Sequence, residues 1–340
     1  MLNTILYIIF LIFLIIYLGV IIVVSGIFIV GVYQTKLDSL LFGSICFILV
    51  VISQLGVFFL NFNILMERIF FTLHYLIAIF FVRSIFYKDR KSLFSIILIL
   101  TIIGAVILNY VVFLRMMENS MLLYIIEVSL DFLLRFIIFV WLAWSSYSAY
   151  KKFKNVDFES WIKSRFKLTA IVALMVSLYN LNRFFLPWNV ARADPNNTLS
   201  LMIFGITAAF AFIISIGFFL AWITPKWYKN YLNRDYEPSH KNEYTETEIL
   251  EIIKYLANIL SKRMNLKPPA IRGVFKLAIK DELGPFKPLN QVNYGELKNV
   301  LENSFRKRLL DLNIQKVEEL TEELKIELIR GQSLIMMANF

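Results

Sequence analysis

Charge is scarce in this 340-residue chain: 18% of its residues are Asp, Glu, Lys or Arg, and 59% are hydrophobic. A soluble domain carries about 25% charged and 45–50% apolar residues. A water-soluble core of this size cannot hide such an apolar surplus, which excludes a purely cytosolic enzyme. Cysteine is nearly missing, and the single Cys46 excludes an internal disulfide framework. Histidine occurs only at His74 and His240, too few for a multi-histidine zinc centre. No P-loop, no Gly-rich nucleotide loop and no Cys/His cluster is present.

What is there is apolar sequence in long runs. Seven stretches, at about 4–32, 40–60, 64–86, 92–114, 121–148, 168–187 and 199–223, reach the roughly 20 residues that a helix needs to cross a bilayer. The first is expected to stay as a membrane helix, because no Lys or Arg precedes it and no small-residue cleavage site ends it. Charge divides the chain. Residues 1–225 hold 16 basic and 9 acidic residues, and residues 226–340 hold 19 and 16. The expected organisation is a seven-helix transmembrane domain over 1–225, a polar linker over 226–243 and a cytoplasmic α-helical domain over 244–340. The fold class is all-α.

Orientation follows from the short loops, where Lys and Arg favour the cytoplasmic side. The first, third and fifth connections hold eleven basic residues: Lys36; Arg83, Lys88, Arg90 and Lys91; Lys151, Lys152, Lys154, Lys163, Arg165 and Lys167. Around the other three lie Arg68, Arg115, Arg183 and Arg192. With seven crossings this places the N-terminus outside and the C-terminus inside. Trp188, Trp222 and Trp227 fall where interfacial aromatic belts are expected. Asn196-Asn197-Thr198 is a glycosylation sequon on the outer side.

The tail reads as four helices around one small core. Thr245 and Glu248 form a capping box before a run with Ile249, Ile252, Ile253, Leu256, Ile259 and Leu260 on one face. Pro268-Pro269 ends it. A second helix covers Ala270–Leu283, Asn293 and Glu296 cap a third, and the last starts near Ile314. About 95 residues make a modest core, so a homodimer or a cytoplasmic protein partner is expected through 244–340. His240 reads as a solvated linker residue, and Arg306-Lys307-Arg308, among Glu302 and Asp311, as a solvated face and not a nucleic-acid site.

Charges within spans are costly, and they face the protein interior or a water-filled cavity. In the fifth stretch Glu127, Asp131 and Arg135 stand four apart, within an arc of about 80° and about 12 Å of rise. Glu67, Arg68 and His74 in the third and Asn180 and Arg183 in the sixth fall at comparable depth, with Gln54 and Asn109 nearby. Two accounts fit this set: a structural network that fixes helix packing, or a polar cavity for a small ligand or ion from the outer side. Glu127, Asp131 and His74 also make a two-carboxylate, one-histidine set, but Arg135 and Arg183 compete for the same carboxylates. No metal or cofactor is therefore expected.

Known seven-span chemistries are tested by their missing residues. Leu199–Phe218 contains no lysine for a retinal Schiff base, no H-x-x-x-H pair marks a ceramidase-type zinc hydrolase, and the Gly-x-Ser-Gly of rhomboid-like proteolysis is absent. Phe86-Tyr87-Lys88-Asp89-Arg90 lacks the D-R-Y order of animal G-protein-coupled receptors. The resulting expectation is a sensor or receptor of the cell membrane with an outward-facing polar cavity and a non-catalytic cytoplasmic output domain. An ion- or proton-coupled transporter using the charged stripe is the alternative, and a membrane-embedded metal enzyme comes third. The orientation is testable by cysteine labelling of a Cys46-free variant. A cysteine at 196 should react from outside and one at 154 only after permeabilisation, and the reverse order would refute the orientation.

Overall fold

In a computed structural model the described residues are 2–35, 38–59, 63–87, 92–154, 160–190, 193–194, 196–234, 248–264, 266–284, 292 and 294–336, and no strand occurs among them. Lys36, Lys88, Arg90, Lys91, Arg192, His240 and the caps expected at Thr245 and Asn293 lie outside the described residues. The chain divides into two compact units, one of Met1–Tyr150 and Ser164–Tyr228, the other of Lys151–Lys163 and Lys229–Asn339. The segment 151–163, expected as a loop of the membrane domain, sorts with the second unit.

The first unit is built from α1 (Leu2–Thr35), α2 (Asp38–Phe59), α3 (Ile64–Phe86), α4 (Phe94–Met117), α5 (Met121–Phe153), α6 (Ser160–Leu178), a 3-10 turn (Leu181–Phe185) and α7 (Thr198–Trp222). Side-chain caps start two of them: Asn63 Oδ1 accepts from the Met66 N–H at 2.9 Å, and Asn197 Oδ1 from the Ser200 N–H at 2.9 Å. Among the described residues six helical segments, against the seven expected, are long and apolar enough to cross a membrane: Asn3–Tyr33, Asp38–Val57, Ile64–Phe86, Phe94–Met117, Ser160–Phe185 and Thr198–Trp222. α5 is long enough but carries Glu127, Asp131 and Arg135 in its first half and Lys151 and Lys152 in its last turn.

The unit buries polar and charged side chains within its apolar interior and turns aliphatic side chains outward. Ile5, Ile8, Ile12 and Ile15 of α1 and Ile96, Ile99, Ile103 and Val106 of α4 are exposed, and serines, threonines and arginines are buried. Lipid is the environment in which this distribution costs least. α1 packs against α2 and α7, α2 against α3, and α3 against α4. The Ser25 and Ser44 hydroxyls meet at 3.0 Å between α1 and α2. Trp222, expected in an interfacial belt, is instead buried, with Arg165 4.4 Å above its ring and Phe28 and Phe81 against it.

The sixth helix departs most from its expected bounds of 168–187. It begins at Ser160, stops at Leu178 and continues only as a 3-10 turn. The break falls where Asn180, Asn182 and Arg183 interrupt the apolar run. Its cause is polar: the side chains of Asn180 and Arg183 are held in the interior by α5, and the Arg183 carbonyl accepts from Tyr124 at 2.8 Å.

α8 (Lys226–Asn233) follows α7, with Trp227 and Tyr231 exposed. In the second unit, α9 (Glu248–Met264), α10 (Pro268–Leu283), α11 (Tyr294–Val300), a π-helical turn (Leu301–Phe305), α12 (Arg306–Asp311) and α13 (Val317–Met336) follow in order. Pro268 and Pro269 occupy the first turn of α10, where a missing N–H costs nothing, and Gly284 ends it at φ 91°. Phe275 and Phe305 are fully buried and stack with centroids 4.1 Å apart. Phe153 meets Tyr255 at 5.6 Å, and the Tyr255 hydroxyl donates to Glu327. Because the Phe275 ring fills the centre of this core, Phe275→Ala should cost about 3–5 kcal/mol. Amide hydrogen exchange on the full chain should show faster exchange across α9, α10 and α13. Unchanged protection would mean that the core does not depend on this ring.

Candidate functional site

The stripe of α5 is fully interior: Glu127 and Asp131 are 0% exposed and Arg135 is 4%. Four-residue spacing puts all three on one helix face, and α3, α4 and the end of α6 close over it. Asp131 is the hub. Its Oδ2 accepts from Asn180 Nδ2 at 2.7 Å, Arg68 Nη1 at 3.2 Å and Arg183 Nη1 at 3.2 Å. Its Oδ1 accepts from the Tyr75 hydroxyl at 2.7 Å.

Glu127, one turn away, shares the same two arginines. Arg183 Nη2 donates to Oε1 at 2.8 Å, Arg68 Nη2 lies 3.1 Å from it, and Arg115 Nη1 reaches Oε2 at 2.5 Å. Arg68 and Arg183 thus each straddle both carboxylates, using the fixed fork of the guanidinium that a lysine lacks. Low-dielectric surroundings strengthen these bonds and equally raise the cost of leaving any of these charges without a partner.

Arg135 behaves differently from the pairing its spacing suggests. Its Nη2 stands 3.9 Å from Asp131 Oδ2, and its Nε and Nη2 donate to the Tyr75 hydroxyl at 3.1 and 2.8 Å. Tyr75 passes the link on to Asp131. Phe71, Tyr75 and Tyr179 hold their rings 5.3–5.7 Å from the Arg135 guanidinium carbon.

Two cavities adjoin the network. The first, about 80 Å³, is lined by Glu67, Arg68, Asn180, Gln54 and Thr207 among others. The second, about 90 Å³, is almost wholly apolar, with Cys46, His74, Phe81, Phe139 and Phe218 in its wall. Gln54, Phe71, Arg135 and Tyr179 line both.

The comparisons with known proteins return no match: no family model, no curated protein and no solved structure resembles the chain. Its chemistry has to be read from these side chains alone.

Glu127, Asp131, Arg68, Asn180 and Arg183 come together as one cluster, Arg135 joins it through Tyr75, and Glu67 lines the polar cavity beside it. His74 stands apart from the carboxylates. Its Nδ1 lies 3.0 Å from the Cys46 carbonyl and 3.1 Å from the Cys46 thiol, donating to the first in one tautomer and accepting from the second in the other. Among the described residues no three His, Cys, Asp or Glu side chains are grouped to hold a metal. Asn196 is exposed in the connection before α7, its N–H donating to Asp194 at 2.9 Å.

Sequence reasoning missed Tyr75 and the bridging role of Arg115. Tyr75 is seven residues from Arg68 and so lies on the same face of α3, a spacing that could have found it. Arg115 meets Glu127 only through the turn joining α4 to α5.

Asp131→Asn leaves Arg68 and Arg183 short of a shared carboxylate and should cost about 3–5 kcal/mol. Tyr75→Phe removes one hydroxyl and should cost about 1–3 kcal/mol. Adding Arg135→Gln to Asp131→Asn should recover little, because Arg68 and Arg183 remain. Thermal unfolding in detergent measures all three, and an Asp131→Asn protein as stable as wild type would remove Asp131 from the centre of the network.

Proposed function

We propose that the chain is a seven-span sensor of the cell membrane, with its N-terminus outside and the 244–340 region cytoplasmic. In this reading α5 is the seventh span. Leu133, Phe136 and Ile137 on its outer side are exposed, with the charged face turned inward, as expected for a helix that carries charge within a bilayer. Arg68 and Arg183, which count among the four basic residues of the outer side, are buried in the network.

The observation that carries the sensing role is where the polar file ends. Polar groups line the first cavity, and below Arg135 and Gln54 the walls become aromatic and aliphatic. A conducting path needs polar groups through both halves of the membrane. A ligand that enters the polar cavity and alters the Asp131–Glu127 network would shift α5 and α6, whose ends, Lys151–Lys163, belong to the same compact unit as the C-terminal helices. The output would pass to a cytoplasmic partner or to a second copy through 244–340. One feature fits a non-catalytic role: no nucleotide or nucleophile motif occurs in the sequence.

The rival transporter reading uses the Glu127–Asp131–Arg135 stripe as an ion or proton path. Reconstitution in liposomes containing a pH-sensitive dye, with valinomycin to clamp the potential, separates the two. A sensor should leave proton flux at the level of empty vesicles. Flux above that level, lost in Asp131→Asn, would replace sensing with transport.

A further inference from the structure

Charge within the network does not balance. Among the described residues four guanidinium groups, Arg68, Arg115, Arg135 and Arg183, face three carboxylates, Glu67, Glu127 and Asp131. Arg68, Arg115 and Arg183 each hold a carboxylate oxygen at 3.2 Å or closer. Arg135 does not: its hydrogen bonds go to a neutral phenol, and its nearest carboxylate oxygen is at 3.9 Å and already accepts from three other donors. The surplus positive charge therefore sits at Arg135, which is 4% exposed and lines both cavities. Burying a cation without a close counter-charge is costly, and an anion at this position would offset that cost.

The surroundings select the kind of anion. Gln54 lines the same junction and offers an amide N–H₂ beside the guanidinium. Arg135 lines one end of the polar cavity, and an anionic head is favoured there. Below, the second cavity is walled mainly by apolar side chains, with Tyr17, Cys46 and His74 among them. At about 90 Å³ it is smaller than the ~150 Å³ apolar cavity that takes benzene, which admits a short chain and not a long one. Asn180 Oδ1 and Arg68 Nε in the wall of the polar cavity are buried without a hydrogen-bond partner, so polar capacity remains for the head group and its hydration.

We propose that the ligand of this site is a short-chain carboxylate, its carboxylate held by Arg135 and its aliphatic chain lying in the cavity walled by Phe81, Phe139 and Phe218. This rests on the sensor reading above and gives its ligand a chemical class. Arg135 would form the bidentate pair with the carboxylate that Asp131 is too distant to provide, and each methylene buried below should tighten binding roughly fourfold until the cavity is full.

The test uses the full chain in detergent at constant ionic strength, reading melting temperature against concentration. The probes are acetate, propionate, butyrate, valerate and octanoate, with butanol, butylamine and chloride as controls. Stabilisation should rise along the carboxylate series to butyrate or valerate, fall at octanoate and vanish in Arg135→Gln. Val176→Ala enlarges the apolar cavity without touching the head site and should move the optimum to a longer chain, which keeps the proposal testable if Arg135→Gln fails to fold. Chloride acting as well as butyrate would overturn the amphiphilic ligand and leave a simple anion site. Octanoate as the best probe would point instead to an acyl chain drawn from the membrane, and would overturn the short-chain assignment. Butanol or butylamine matching butyrate would overturn the anion while leaving the sensor reading intact. No shift with any probe would overturn both, leaving the stripe as packing.

Discussion

A carboxylate shut away from water has to find its compensation within the protein, and Asp131 finds it in four side chains at once. Tyr75 and Arg68 come from α3, and Asn180 and Arg183 from the broken end of α6. No single pair would suffice, because the desolvation cost of a buried ion exceeds what one imperfect contact returns. Sharing Arg68 and Arg183 between Asp131 and Glu127 compensates both acids with the same two guanidinium groups. That arrangement requires α3, α5 and the residues after Leu178 to converge at one depth.

Several local features follow from this convergence. α6 ends at Leu178, where Asn180, Asn182 and Arg183 follow in the sequence; Asn180 and Arg183 are drawn inward and the backbone tightens to a 3-10 turn. α4 and α5 are tied across their short connection by Arg115 and Glu127. Tyr75 sits between Arg135 and Asp131 and keeps the two charges 3.9 Å apart, when a direct contact would have neutralised both. The charge left at Arg135 is a consequence of how the hub is built, and it lies at the boundary between a polar and an apolar cavity. That coincidence is what gives the site its chemistry.

The second unit obeys different physics. Its helices are amphipathic, and their core is assembled from leucine, isoleucine and phenylalanine with surface ion pairs such as Arg308–Asp281 at 2.6 Å, an exposed contact of the kind that adds little. The bond from Arg308 holds the Asp281 carboxyl below the usual carboxylate range, and those from Ser304 and Asn303 do the same for Glu282. Groups of this kind favour the fold above their unfolded pKa and lose that contribution as pH falls through the lowered folded value. At neutral pH the tail therefore carries its full share of this modest stabilisation.

Composition and periodicity determine much of this protein. Of the seven apolar runs, six fall on membrane-competent helices of the described residues, most ends within a few residues, since bilayer length and hydropathy are local properties. The Pro268-Pro269 break and the stop at Gly284 follow equally from local spacing, whereas α9, expected to bury one face, is buried all round over residues 251–257. The four-residue stripe on α5 and the charged positions on the third and sixth stretches are legible for the same reason, because intramembrane charge is rare enough to stand out. What spacing could not decide is which partner each charge takes. Arg135 lies one turn from Asp131 yet bonds Tyr75, Arg115 crosses from a neighbouring helix to Glu127, His74 turns to the Cys46 carbonyl away from the acids, and Trp222 is buried where a belt was expected. Those choices depend on helix rotation and depth, which a one-dimensional pattern does not encode. They arise only when several helices must satisfy the same buried carboxylates together.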